Sequence, residues 1–196
     1  METNIAETTV PPKKSNFFKD TAIFGIIALA VILPIRFFIA QPFIVDGSSM
    51  DPTFATNQYL IVDELSYHFE PIKRGDVIIF KYPNDMTKYF IKRVIGLPGE
   101  TVQIEGSKVT IKNAAQPEGF VLTENYVAPA NVSLDHTLVT LTDSQYFVMG
   151  DNRAASFDSR AWGPVDKKLI IGRPILRLFP FNQLGLFPGE SLVKNR

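Results

Sequence analysis

Residues 21–35 (TAIFGIIALAVILPI) carry no charge, and this run constrains the chain more than any other feature. Beyond Arg36 the apolar character resumes through residues 37–45. A membrane-spanning helix needs about 20 mostly apolar residues, so the stretch is long enough if Arg36 sits near one end. A cation at the centre of a span costs on the order of 3 kcal/mol, whereas near the outer interface Arg36 can reach lipid phosphates. Pro34 kinks the helix or marks its outer turn. Lys13, Lys14 and Lys19 precede the run, and flanking positive charge keeps that end in the cytoplasm and directs the rest of the chain outward. A cleaved secretory leader and a buried core helix are the competing readings. The run exceeds the roughly 7–15 apolar residues of a leader, and no clear small-x-small cleavage pattern follows before Asp46. The expectation is a cytoplasmic tail over residues 1–20 and a retained single-pass plasma-membrane anchor over residues 21–42.

The remaining length suffices for one well-packed domain, expected over residues 43–187 on the extracytoplasmic side. Residues 188–196 read as a frayed C-terminal tail. Lys plus Arg balance Asp plus Glu at 20 each, with no dense basic block, so nucleic acid is not an expected partner. The absence of Cys excludes thiol catalysis, disulfides and Cys-based zinc sites. With only His68 and His136, a histidine-rich metal site is not expected either.

After the anchor, short β-branched and aromatic runs recur between turn residues. Strands are predicted at residues 76–82, 88–95, 102–105, 108–112, 137–141, 145–149 and 170–179, with a hairpin turn at Gly106 and Ser107. Such spacing predicts a mostly β fold, an antiparallel barrel or curled sheets, not alternating βαβ units. Residues 113–135, with Pro117, Gly119 and Pro129, read as an excursion from it.

Three segments carry candidate chemistry. Residues 47–54 (GSSMDPTF) follow the anchor, and taken alone their Ser pair is an ordinary turn. In residues 89–100 (YFIKRVIGLPGE), strand alternation places Phe90, Lys92 and Val94 on one face. An apolar setting of that kind is what a neutral lysine needs, since burial disfavours the charged form. Residues 148–163 (VMGDNRAASFDSRAWG) gather Asp151, Arg153, Asp158 and Arg160 around Asn152 and Ser156, either as a solvated ion-pair loop or as a clamp holding two strands in register.

In this order the segments closely resemble the conserved boxes of bacterial type I signal peptidases: Ser-Met-x-Pro-Thr, Lys-Arg-x-x-Gly-Leu-Pro-Gly and Gly-Asp-Asn-Arg-x-x-Ser-x-Asp-Ser-Arg. The resemblance implies a serine-lysine protease with Ser49 as nucleophile and Lys92 as general base. It implies that Ser156 orients the lysine and that Asp151, Arg93, Asp158 and Arg160 support the site. It further implies an SH3-like β-barrel core, a membrane-apposed apolar surface and no cofactor. The implied substrates are signal peptides of exported preproteins, cut after small residues. By motif position, Phe43, Val45, Met50, Phe90 and Ile91 are the expected substrate-binding residues. Some family members carry a hydroxyl residue two positions before the nucleophile, where this chain has Gly47, which leaves Ser48 as a candidate second oxyanion donor beside the Ser49 N–H.

A serine hydroxyl attacks poorly until a base takes its proton, and Lys92 is the base within the motifs. A self-cleaving regulator of the same superfamily would lack the apolar run and carry a DNA-binding module. A membrane-tethered adaptor with vestigial boxes would have a degenerate dyad, whereas Ser49 and Lys92 are both present.

Overall fold

The computed structural model describes residues 17–34 and 40–190. Lys13, Lys14, Arg36, residues 37–39 and residues 191–196 lie outside the described residues, together with the readings that rest on them. The first helix, α1, is described over Phe17–Pro34, and Ile23, Phe24, Ile26, Ile27 and Leu29 are all exposed on it. Among the described residues no helix is long and apolar enough to cross a membrane.

The chain then runs through β1 (Ala40–Ile44), β2 (Tyr59–Asp63), β3 (Val77–Tyr82), β4 (Asp85–Gly96), β5 (Thr101–Gly106), β6 (Lys108–Asn113), β7 (Gln116–Val121), β8 (Asp135–Thr140) and β9 (Gln145–Met149). A one-turn helix α2 (Ser159–Trp162), β10 (Val165–Asp166), β11 (Ile170–Phe179) and β12 (Gly185–Leu186) complete it. Residues 40–42, assigned from sequence to the anchor, belong to β1, because Ala40, Gln41 and Pro42 pair with Asp63, Val62 and Ile61.

The strands form two antiparallel sheets. The larger has the order β1-β2-β11-β3-β4-β9-β10, with β12 added on β11, and the smaller has the order β7-β6-β5-β8. β3 and β4 form from runs of β-branched and aromatic residues that pack well on a pleated surface. Glu105 pairs with Lys108, so Gly106 and Ser107 are the two loop residues of the predicted hairpin. β7 lies inside the expected excursion. Its Pro117 is tolerated because β7 is an edge strand of the smaller sheet.

Bulges in β11, between Pro174 and Leu176 and between Arg177 and Phe179, bend the larger sheet. The curl brings β1 and β4 to the walls of one cleft without pairing them. The expected SH3-like barrel is thus corrected to an open curled sheet. Closure would need ladder hydrogen bonds between β1 and β4, and the cleft lies where that ladder would be.

Three apolar clusters flank the site. Ile78, Phe80, Val94 and Val148 pack with Phe90 and Trp162 on one face of the sheet. Val45, Met50, Phe54, Leu60 and Val77 pack with Ile91 on the other. Ile95, Val102, Ile111 and Phe147 join the two sheets. Each fully buried side chain of this size contributes about 1.5–3 kcal/mol. Gly189, inside the tail expected from residue 188, is tied to β4, because its carbonyl accepts a hydrogen bond from Arg93 Nη1 at 2.7 Å.

Candidate active site

Ser49 lies in the turn just beyond β1. The turn enters through Gly47 at φ +95°, a left-handed conformation that a side chain at this position would strain. Gly47 in place of a hydroxyl residue is therefore a backbone requirement of this turn, and its N–H donates to Thr56 Oγ1 at 3.2 Å. The Ser49 N–H donates to no group among the described residues.

β4 brings Lys92 to Ser49. Its Nζ donates to Ser49 Oγ at 2.7 Å and to the Ile91 carbonyl at 3.0 Å, and lies 5.3 Å from the centre of the Phe90 ring. The residue is only 4% exposed. Burial lowers the lysine pKa to about 8, against the opposing pull of the Asp158 and Asp151 carboxylates. Desolvation disfavours the ammonium, so the amine is a usable base near neutral pH. Neither His68 nor His136 is bonded to Ser49 or Lys92.

Arg93, next on the strand, points to the opposite face. Its guanidinium grips Asp151 in a two-pronged pair, with Nε to Oδ1 at 2.8 Å and Nη2 to Oδ2 at 2.6 Å. Nη1 donates to the carbonyls of Gly75 and Gly189. Asp151 also accepts from Thr53 Oγ1 at 2.5 Å, which ties the turn carrying Ser49 to the loop after β9. The tie is doubled by Asn152, whose backbone N–H donates to the Ser49 carbonyl at 3.0 Å and whose Nδ2 donates to the Ser48 carbonyl at 3.2 Å. Gly150 lets these loops meet, since a Cβ there would lie 2.3 Å from both the Ser49 carbonyl oxygen and Ser156 Oγ. Asp158 caps α2, accepts the Gly150 N–H at 3.0 Å and pairs with Arg160. Arg160 reaches on to Asp135 and Ser133.

The structure thus brings Ser49, Lys92, Arg93, Asp151, Asp158 and Arg160 into one connected site. Ser156 is beside them, but its buried Oγ makes no hydrogen bond among the described residues, so the expected bond to Lys92 is absent from this geometry. Phe43, Val45, Phe90 and Ile91 line a cleft of about 420 Å³ that opens onto Ser49 and Lys92. Met50 does not line it. The turn rotates Met50 inward to pack with Phe54 and Leu60, a correction to its expected role. Tyr89, Ala155 and Phe157 also line the cleft and were missed from sequence. Strand alternation, which puts Tyr89 on the face of Ile91, was the available signal for Tyr89.

The profile of the family described as signal peptidase, peptidase S26, matches residues 18–179. The chain is similar to signal peptidase I of Leptolyngbya laminosa, 44% identical over 170 residues covering 81% of this chain and 79% of that protein. It is similar to the probable signal peptidase I-1 of Synechocystis sp., 37% identical over 196 residues covering 93% of this chain and 96% of that protein. It is similar also to signal peptidase I of Bacillus licheniformis, 36% identical over 177 residues covering 88% of this chain and 94% of that protein.

Proposed function

Since this chain belongs to the signal peptidase family, peptidase S26, we propose that it is the serine endopeptidase that removes N-terminal signal peptides from exported preproteins, with Ser49 as nucleophile and Lys92 as general base. The observation that carries the assignment is the 2.7 Å contact between Ser49 Oγ and a buried lysine amine held near neutrality. Neutral Lys92 takes the Ser49 proton as Oγ attacks the scissile carbonyl. The same amine, now protonated, delivers that proton to the leaving nitrogen, and the acyl-enzyme is released to a water activated by Lys92. The Ser49 N–H serves the oxyanion, with Ser48 as the second donor.

Ser156 orients the amine once Ser49 is acylated and no longer accepts from it. A buried hydroxyl without a partner is costly, and a role during turnover accounts for it here. Asp151, Arg93, Asp158 and Arg160 hold the loops and transfer no proton in the reaction.

β1 and β4 are separated by four antiparallel steps, so they run in the same direction on either side of the cleft. An extended preprotein segment fits between their free edges and supplies the missing strand. Its residues one and three before the cut fall on the face walled by Val45, Leu60, Ile79 and Ile91, the side that receives the small side chains.

The apolar run that begins in α1 is the membrane anchor, with the N-terminus cytoplasmic and the sheets outside. The support is the exposure of apolar side chains along α1, which water does not favour. The exposed Ile44, Tyr59, Phe179, Phe181, Leu184 and Leu186 are placed against the lipid surface.

The test is mass spectrometry of a model preprotein incubated with the full chain in detergent. One new N-terminus after a small residue is expected, lost in Ser49→Ala and slowed but still formed in Ser48→Ala. Processing by Ser49→Ala at a near wild-type rate rejects the nucleophile.

A further inference from the structure

Phe157 is 56% exposed, yet the residues on either side of it are held in place. Its chain neighbour Asp158 is fully buried, accepts the Gly150 N–H and is paired with Arg160. On its other side, Ser156 packs against Gly150 and lies beside the Ser49 carbonyl. The Phe157 ring meets Tyr82 edge to face at 6.1 Å, and Tyr82 stacks on Phe90 at 4.7 Å. An aromatic ring kept half in water by a rigid backbone, at the mouth of the catalytic cleft, is placed to receive something apolar.

The pleat decides what that is. β9 pairs with β4 only from Arg93 onward, so on that side the β4 edge before Arg93 has no strand partner among the described residues. The two faces of this free edge differ. Tyr89 and Ile91 look to the side of Val45 and Leu60, whereas Phe90 and Lys92 look to the side of Phe80 and Trp162. Phe157 joins the second side through Tyr82, which also contacts Trp162 at 5.8 Å. A strand lying along this edge sends alternate side chains to opposite faces. With the small residues one and three before the cut on the Val45 and Ile91 face, the residue between them faces Phe157.

We infer that Phe157 is a specificity-determining residue of this enzyme, forming with Phe90 an apolar ledge that selects a large apolar side chain at the substrate residue two before the cut. The inference rests on the proteolytic reading above and adds to it a preference at a position that a small-residue rule leaves undefined. Contact with the ring removes apolar surface of both partners from water, and a pocket contact of this kind discriminates by about tenfold.

The experiment uses the full chain in detergent and peptide substrates with alanine at one and three before the cut, differing only in glycine, serine, leucine or phenylalanine between them. Wild type is expected to show kcat/KM about tenfold higher for leucine and phenylalanine than for glycine. In Phe157→Ala that ratio falls to near one, and in Phe157→Leu it is largely kept. Both substrates of a ratio are measured on one preparation, so partial misfolding of a variant cancels. Equal kcat/KM for all four peptides in wild type overturns the inference and leaves the proteolytic reading intact. A ratio unchanged in Phe157→Ala does the same, whereas a wild type that cleaves none of them overturns both.

Discussion

The lysine is the residue on which the mechanism depends, and its burial makes a double prediction about rate and stability. With a pKa of about 8, about one Lys92 in ten is neutral at pH 7, against about three in ten thousand for a lysine at 10.5. That is a gain of about 300-fold in available base. The rate at low substrate is expected to rise about tenfold per pH unit up to pH 7 and to level off above pH 8. Stability follows the same group. Its folded pKa lies below its unfolded value, so between about pH 8 and 10.5 the unfolded state binds more protons, and stability rises with pH through that window. At or below pH 7 the buried ammonium costs about 3 kcal/mol, from 2.5 units at 1.36 each. Lys92→Met removes that cost but also two hydrogen bonds worth about 1 kcal/mol each, so a net gain of about 1 kcal/mol at pH 6–7 is expected. Above pH 10 the variant becomes the less stable protein. Lys92→Arg stays charged at every accessible pH and is expected to be inactive. Peptide cleavage from pH 5.5 to 10, with denaturant unfolding of wild type and Lys92→Met in the same detergent, measures both arms. Activity in Lys92→Arg, or a Lys92→Met destabilised more at pH 6 than at pH 10, would refute the reasoning.

Asp158→Asn has one acceptor oxygen where the carboxylate has two, so it keeps either the cap on α2, accepted at Oδ1, or the bond from the Gly150 N–H, accepted at Oδ2, and it leaves Arg160 with Asp135 as its remaining carboxylate. A loss of about 2–3 kcal/mol in stability is expected, with activity falling in parallel. An unchanged melting temperature with activity abolished would instead point to direct participation in the chemistry. Removing residues up to 35 is expected to leave a folded protease that still needs detergent or lipid, because Phe179, Phe181, Leu184 and Leu186 remain exposed. Light scattering of that truncation in plain buffer checks this, and a monodisperse, fully active species would remove the case for a lipid-facing surface.

Regular strands were legible in the sequence where a period of two has room to repeat, and much less so elsewhere. β9 and β11 fall at their expected residues because Gln145–Met149 and Ile170–Phe179 are apolar runs bounded by turn residues. β1 was hidden because its apolar residues continue the run read as anchor, and β7 because Pro117 and Gly119 argue against a strand unless it is an edge. Within the site the same division holds. Lys92 faces Ser49 and Arg93 faces Asp151 because adjacent residues on a strand point to opposite faces, but from sequence alternation gave only the shared face of Phe90, Lys92 and Val94, and the roles of Lys92 and Arg93 came from the resemblance. Met50 and Phe157 lie in turns, where no period applies and the backbone path alone decides which way a side chain points. The adjacency of Lys92 and Arg93 then acquires a physical reason. One stretch of β4 delivers the desolvated amine to the nucleophile on one face. On the other it uses a buried ion pair to hold the loop that, through Asn152 and Thr53, holds the nucleophile. A strain that moved β4 by one residue would reverse both faces at once, exposing the base to the ion pair's carboxylate and the tether to the cleft, so register in this strand is a condition of activity and not only of stability.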